Sequence, residues 1–222
     1  MKDIAKFIAG FERFKTKYFT EERGLFTRLQ QGQQPRSLVI SCCDSRVDPA
    51  MLTGADPGDL YVVRNVANLV PAYEHEADGP GIRAAIEFAV RSLEIEHIIV
   101  LGHSNCGGIQ ALMNGEGTTV HRYEFIGPWV NIAKRAREQV LRELPHKSPA
   151  LQAKACEEAA ILVSLDNLLS FPWIRERVDN HTLAIHGWYF DIETGELLAY
   201  SADTATFIAL AAEPLPIQRA KP

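Results

Sequence analysis

The 222-residue sequence lacks any long apolar run. Stretches such as Ile98–Leu101 fall far short of the roughly 20 residues a helix needs to span a bilayer, so no membrane partner is expected. It also lacks a basic cluster. Its 23 Lys and Arg are scattered among 28 Asp and Glu, for a net charge of −5, which gives no footprint for nucleic acid. Repeats and low-complexity tracts are missing, so a single domain over 1–222 is expected. Four cysteines are too few for a disulfide framework in a chain this size. The opening MKDIAKFIAG has no apolar core of a signal peptide and no cleavage pattern. A cytoplasmic location is the expectation.

What is present has the alternation of an α/β protein. Ile4, Phe7, Ile8, Phe11 and Phe14 recur at helical spacing, and a second helix is expected over Glu21–Gln31. Residues 1–31 thus read as an N-terminal helical arm. Short buried strands follow at Ser37–Ser41, Leu60–Asn65 and His97–Leu101, with a helix marked by Ile82, Ala85, Ile86, Ala89, Val90 and Leu93. Further helices are expected at Pro128–Leu144 and Pro149–Leu169. Strands at Thr182–Ile192 and Glu196–Ser201 would turn at Glu193-Thr194-Gly195. The pattern predicts a mostly parallel central sheet covered by helices, with a C-terminal antiparallel strand. Residues 32–201 form the expected catalytic core and 202–222 a tail, loose after Ala212.

Two of these strands end in chemistry. Cys42 follows the first and His103 the third, and sites in such sheets form at the carboxyl ends of strands. Cys42, His103 and Cys106 offer two thiolates and an imidazole, a donor set that favours zinc. Three ligands rather than four leave a position open, as catalytic zinc requires. Asp44 and Arg46 stand two and four residues beyond Cys42. In an extended stretch all three side chains share a face, and the arginine would keep the carboxylate ionised and oriented. Asp44 would then either accept a hydrogen bond from zinc-bound hydroxide or serve as a fourth ligand.

Cys42-x-Asp44-x-Arg46 and His103-x-x-Cys106-Gly107-Gly108, with Val62-Val63-Arg64-Asn65-Val66-Ala67-Asn68 between them, resemble the β-class carbonic anhydrases. The similarity runs from about Gly32 to Tyr200. It implies a zinc enzyme that reversibly hydrates CO2 to bicarbonate and a proton, by attack of zinc-bound hydroxide. It implies a homodimer that exchanges N-terminal helices, often doubled to a homotetramer, with active sites at the dimer interface. Gln33 matches a glutamine that reaches substrate from the neighbouring chain. Tyr61 and Val66 match the apolar seat for CO2, Phe88 falls there where some members have Tyr and so brings no hydroxyl, and Gly107 and Gly108 match the glycines beside it. A bicarbonate-regulated subclass carries Trp where this chain has Val39, and tends to have Tyr where it has Phe190. Arg64 remains but cannot form that regulatory site alone. The resemblance therefore implies the open type, with Asp44 off the zinc and paired to Arg46.

Plainer readings go to the remaining candidates. Cys43 should pack on the face opposite Cys42, and Cys156 should be core. His186 reads as structural, and His75, His121, His146 and His181 as solvent-facing. Gly79-Pro80-Gly81 follows no strand and is discounted as a dinucleotide loop. Three rival functions stand beside the main one: a carbon disulfide hydrolase on the same scaffold, a serine hydrolase using Ser104, and a structural zinc module.

Overall fold

The computed structural model describes residues 2–74, 80–115 and 124–210. The tail after Ala212, His75 and His121 lie outside the described residues. In chain order the elements are α1 (Lys2–Thr16), α2 (Arg23–Leu29), β1 (Ser37–Cys42), α3 (Pro49–Thr53), β2 (Leu60–Asn65), α4 (Pro80–Glu87) and β3 (His97–His103). Then come α5 (Gly107–Met113), α6 (Ile126–Val130), α7 (Lys134–Glu143), α8 (Pro149–Leu168), α9 (Pro172–Asp179), β4 (Ala184–Phe190), β5 (Leu197–Ser201) and β6 (Thr206–Ala209).

The six strands form one sheet in the order β2-β1-β3-β4-β5-β6. The first four are parallel, and β5 and β6 add antiparallel pairs. Alternation along the strands sorts the core. Leu38, Ile40, Ile98 and Val100 pack with Ile82 and Ile86 of α4, Ile161 of α8 and Ile174 of α9. Val39, Ile99 and Leu101 point the other way, against Leu52 of α3, Leu60, Trp188, Phe190 and Leu197.

Several helix ends follow from local chemistry. Asp48 caps α3, accepting from the amides of Ala50 (3.1 Å) and Met51 (3.2 Å), with Pro49 in the first turn and Gly54 (φ 67°) ending it. Ser148 caps α8 through the Leu151 amide, again with Pro149 following. The hairpin expected at Glu193-Thr194-Gly195 is present. Asp191 accepts from the Glu193 and Thr194 amides, and Gly195 takes φ 74°.

The elements differ from expectation in several places, the short helices α3 and α5 among them, which were not expected. The helix expected over Pro128–Leu144 is α6 and α7, joined by a 3-10 turn at Asn131–Ala133. The one marked by Ile82–Leu93 loosens into a π turn at Phe88–Ser92, closed by Leu93 N–H to Phe88 O (3.0 Å). Helix α9 falls between two expected elements. Strand β6 lies inside the stretch read as tail: four residues after a turn carry too little pattern to read as a strand, but Thr206, Phe207 and Ile208 suit one.

Two strand glycines set how closely α8 approaches the sheet. A Cβ on Gly102 would sit 2.7 Å from Ile161 Cδ1, and one on Gly187 2.9 Å from Ile161 Cγ2. Ile161 is fully buried and has nowhere to go. Gly102→Ala is expected to lower stability by about 1–3 kcal/mol, read as a lower urea midpoint at unchanged slope.

Candidate metal centre

Strands β1 and β3 run parallel with Ser41 opposite Leu101, so Cys42 and His103 emerge at the same end of the sheet. Ser104 and Asn105 then turn the chain, with Asn105 in the left-handed region (φ 57°), and Cys106 arrives at the start of α5. The ligand atoms of Cys42, His103 and Cys106 lie within 4.8 Å of one another, and all three residues are buried.

Zinc fits this donor set. The two sulfurs are 4.0 Å apart, close to the roughly 3.8 Å that two 2.3 Å Zn–S bonds span at a tetrahedral angle. His103 Nδ1 lies 2.9 Å from Ser104 O, which fixes its proton there and turns the Nε2 lone pair inward. Nε2 is buried with no hydrogen-bond partner, an omission that a metal bond would repair. The thiols titrate as a pair. The sulfur–sulfur hydrogen bond holds Cys42 low and keeps the Cys106 proton in place, and burial adds to the second effect. Burial opposes a charge on His103, but the neighbouring Cys42 sulfur and the Ser104 carbonyl leave its value raised. A metal ion would take the place of these shared protons.

Backbone amides serve the sulfurs. Those of Asp44 and Ala67 point at Cys42, and those of Gly108 and Ile109 at Cys106. Ala67 reaches its position with φ 64°, in a turn that Asn65 holds through two 2.9 Å bonds to the Leu69 backbone. Gly108 lets that turn approach, since a Cβ there would be 2.6 Å from Val66 Cγ1. Gly107 faces open space.

Asp44 is clamped by Arg46 through both oxygens, Nε to Oδ1 at 2.9 Å and Nη2 to Oδ2 at 2.8 Å, with the Arg46 amide adding a 3.0 Å bond. These bonds hold the Asp44 carboxyl well below the usual carboxylate range. Arg46 Nη2 also donates to Asn105 O (3.1 Å), tying the two ligand loops together. The shared face expected of an extended stretch is instead produced by a turn after Cys42. Cys43 lies before that turn, its amide bonded to Asn65 O (2.9 Å), and its side chain is exposed rather than packed. Cys156 is fully buried, as expected.

Val66 lies beside the centre, and its carbonyl accepts from Trp129 Nε1 (2.8 Å) at a cavity of about 520 Å3. Tyr61 and Phe88 do not join it on this chain. They contact each other with ring centroids 6.1 Å apart, but Tyr61 pairs with Leu38 and Asn65 with Cys42. Four residues of strand, about 13 Å, separate the two levels. Gln33 is exposed in the loop before β1.

Glu157 escaped the sequence reading, as did the contacts that Arg64 makes. Arg64 donates to Cys42 O (2.9 Å), Asp44 O (2.6 Å) and Asp48 Oδ2 (3.1 Å), pinning the loop that carries Asp44. Glu157 of α8 accepts from the Cys106 amide (2.9 Å) and from Tyr189 O–H (2.8 Å). Ser104 is no nucleophile: its Oγ accepts from the Ile192 amide (2.8 Å), and His103 meets only its carbonyl.

A family model described as carbonic anhydrase matches residues 37–197, a span that contains the whole centre. The chain is 37% identical to a carbonic anhydrase of Synechocystis sp. over 206 residues, 93% of this chain and 74% of that one. It belongs to the β-class carbonic anhydrases. The solved structure of the β-carbonic anhydrase CcaA superposes with a TM-score of 0.88 at 36% identity, covering 96% of this chain and 94% of that chain. A tetrameric β-carbonic anhydrase of Sordaria macrospora superposes at 0.79 with 25% identity, covering 95% and 100%. The activity is zinc-dependent, reversible hydration of CO2. His103→Ala or Cys106→Ala leaves two ligands. Zinc is expected to fall from one per chain toward zero by atomic absorption, with CO2 hydration lost alongside it.

Proposed function

We propose that this carbonic anhydrase works in the open state, with Asp44 held off the metal by Arg46, and that a second copy of the chain completes its substrate pocket. The bidentate Asp44–Arg46 pair carries the first part, because both carboxylate oxygens are engaged away from the ligand group. Cys42, His103 and Cys106 would hold the zinc, which when bound acidifies water and so supplies a nucleophile near neutral pH. Two thiolates and a neutral imidazole bring the charge of the donor set and ion to about zero, so more of the activation falls to the neighbours. Asp44, ionised and fixed, accepts the hydrogen bond that aims the nucleophile at the carbon of CO2. Val66 walls the apolar side. Its depressed value keeps Asp44 charged from mild acid to alkali, so Asp44 does not limit the rate across that range.

The second part rests on what one chain leaves open. Ile4, Phe7, Ile8 and Phe11 form an apolar face on α1, each more than half exposed. Tyr61, with Phe88 against it, lies a strand's length from its own metal centre, and Gln33 is exposed in the loop before β1. An exchanged arm would cover the first and bring Gln33, Tyr61 and Phe88 to the neighbour's zinc. The tetrameric relative supports a dimer doubled to a tetramer. Four unpaired cysteines suit a reducing compartment such as the cytoplasm, and among the described residues no helix is long and apolar enough to cross a membrane.

Arg46→Ala releases Asp44 to reach the metal. Hydration near neutral pH is expected to fall about 10–100-fold and recover in alkali, with an added oxygen ligand by X-ray absorption. Neutral-pH activity and coordination both unchanged would sink the open-state reading. Phe7→Asp with Phe11→Asp should yield monomers by light scattering, with kcat/KM lowered while zinc content holds. Fully active monomers would refute the shared pocket.

A further inference from the structure

Glu157 is a carboxyl group 4% exposed in the middle of α8, and among the described residues no ion pair reaches it. Burying such a group is costly, so its surroundings must compensate. They do so with two hydrogen bonds that lead in opposite directions. Oε1 accepts from the amide of Cys106 at 2.9 Å, and Oε2 accepts from Tyr189 O–H at 2.8 Å. Tyr189 is itself fully buried on β4, next to the strand that ends in His103. The carboxyl is therefore a rigid peg between helix and sheet, and what it grips is the backbone of a metal ligand.

The grip matters because the loop before Cys106 is not self-supporting. Asn105 occupies the left-handed region, a conformation that side chains other than glycine adopt at some cost. The Cys106 amide lies at the start of α5, where no carbonyl within that helix is available to it. Without Glu157 this buried amide would lose its partner and the loop its anchor.

We propose that Glu157 is a positioning residue of the metal centre: held by Tyr189, it fixes the Cys106 amide and thereby the placement of the Cys106 sulfur against Cys42 and His103. The role is geometric. An amide oxygen would accept from the Cys106 N–H equally well, and the other end of that amide can donate to the Tyr189 oxygen. The inference depends on the three-ligand centre and not on whether Asp44 is on or off the metal.

The test uses the full-length protein as Glu157→Gln, Glu157→Ala and Tyr189→Phe. Two readouts stand apart from turnover: the rate of zinc loss to a chelator, and the visible spectrum of the cobalt-substituted protein, which reports ligand geometry. Glu157→Ala should release zinc about 10–100-fold faster and shift the cobalt bands. Glu157→Gln should stay within a few-fold of the parent on both. Tyr189→Phe keeps the fold if Glu157→Ala does not, and should release zinc faster with a smaller shift of the bands. Unchanged cobalt bands and zinc release in Tyr189→Phe, or in a folded Glu157→Ala, would overturn the proposal. A Glu157→Gln variant as impaired as Glu157→Ala would also overturn it, by showing that charge rather than placement is what matters.

Discussion

The parallel pairing of β1 with β3 is the constraint on which the rest depends. Cys42 and His103 are brought together by strand register alone, with Ser41 set opposite Leu101. A slip of one residue would turn one ligand to the opposite face of the sheet. The pairing is accordingly deeply buried: Leu38, Ile40, Ile98 and Val100 are fully buried, and helices cover them from one side. The glycines of β3 and β4 let α8 lie against this core, and α8 carries Glu157 to the back of the centre. Packing in the sheet and placement at the metal are thus parts of one arrangement.

Two thiolates side by side repel, and the chain answers with dipoles rather than with cations on the sulfurs. Four backbone amides point at them, two for each sulfur. This gives the short motifs a physical content beyond likeness. The Val66-Ala67-Asn68 turn exists to aim an amide at Cys42, and it needs a left-handed residue to do so. Gly108 lets the same turn approach α5, whose first amides serve Cys106. Arg46 and Arg64 act one step further out. One holds the Asp44 side chain and the other the carbonyls on either side of Cys43.

The metal ligands were legible in the sequence because each depends on a local pattern. A buried strand ending at Cys42, another ending at His103 and a three-residue step to Cys106 are visible without tertiary knowledge. The Asp44–Arg46 pair was legible as a pair, although a turn over Asp44–Val47 and not an extended stretch unites it. Glu157 was not legible. In a long helix a glutamate reads as solvated, and only the approach of Tyr189 and the Cys106 loop shows that this one faces inward. Strand β6 escaped for a similar reason, since its four residues gain their identity from β5.

The positions of Tyr61 and Phe88 show where a single chain stops. Both are largely apolar rings, yet register puts Tyr61 about 13 Å along the strand from the level of Cys42, and Phe88 packs against Tyr61. No side-chain rotation closes such a gap, and a shift of β2 would disrupt its pairing with β1. The three metal ligands, the Asp44 carboxylate and Val66 all belong to one protomer. On the proposed reading, the rest of the seat comes from a second copy of the chain. On that reading the exposed face of α1 would drive the association, because burying Ile4, Phe7, Ile8 and Phe11 removes apolar area from water. On this account assembly and substrate binding are linked. A protomer alone can hold zinc, but it lacks the far wall that would keep CO2 against it.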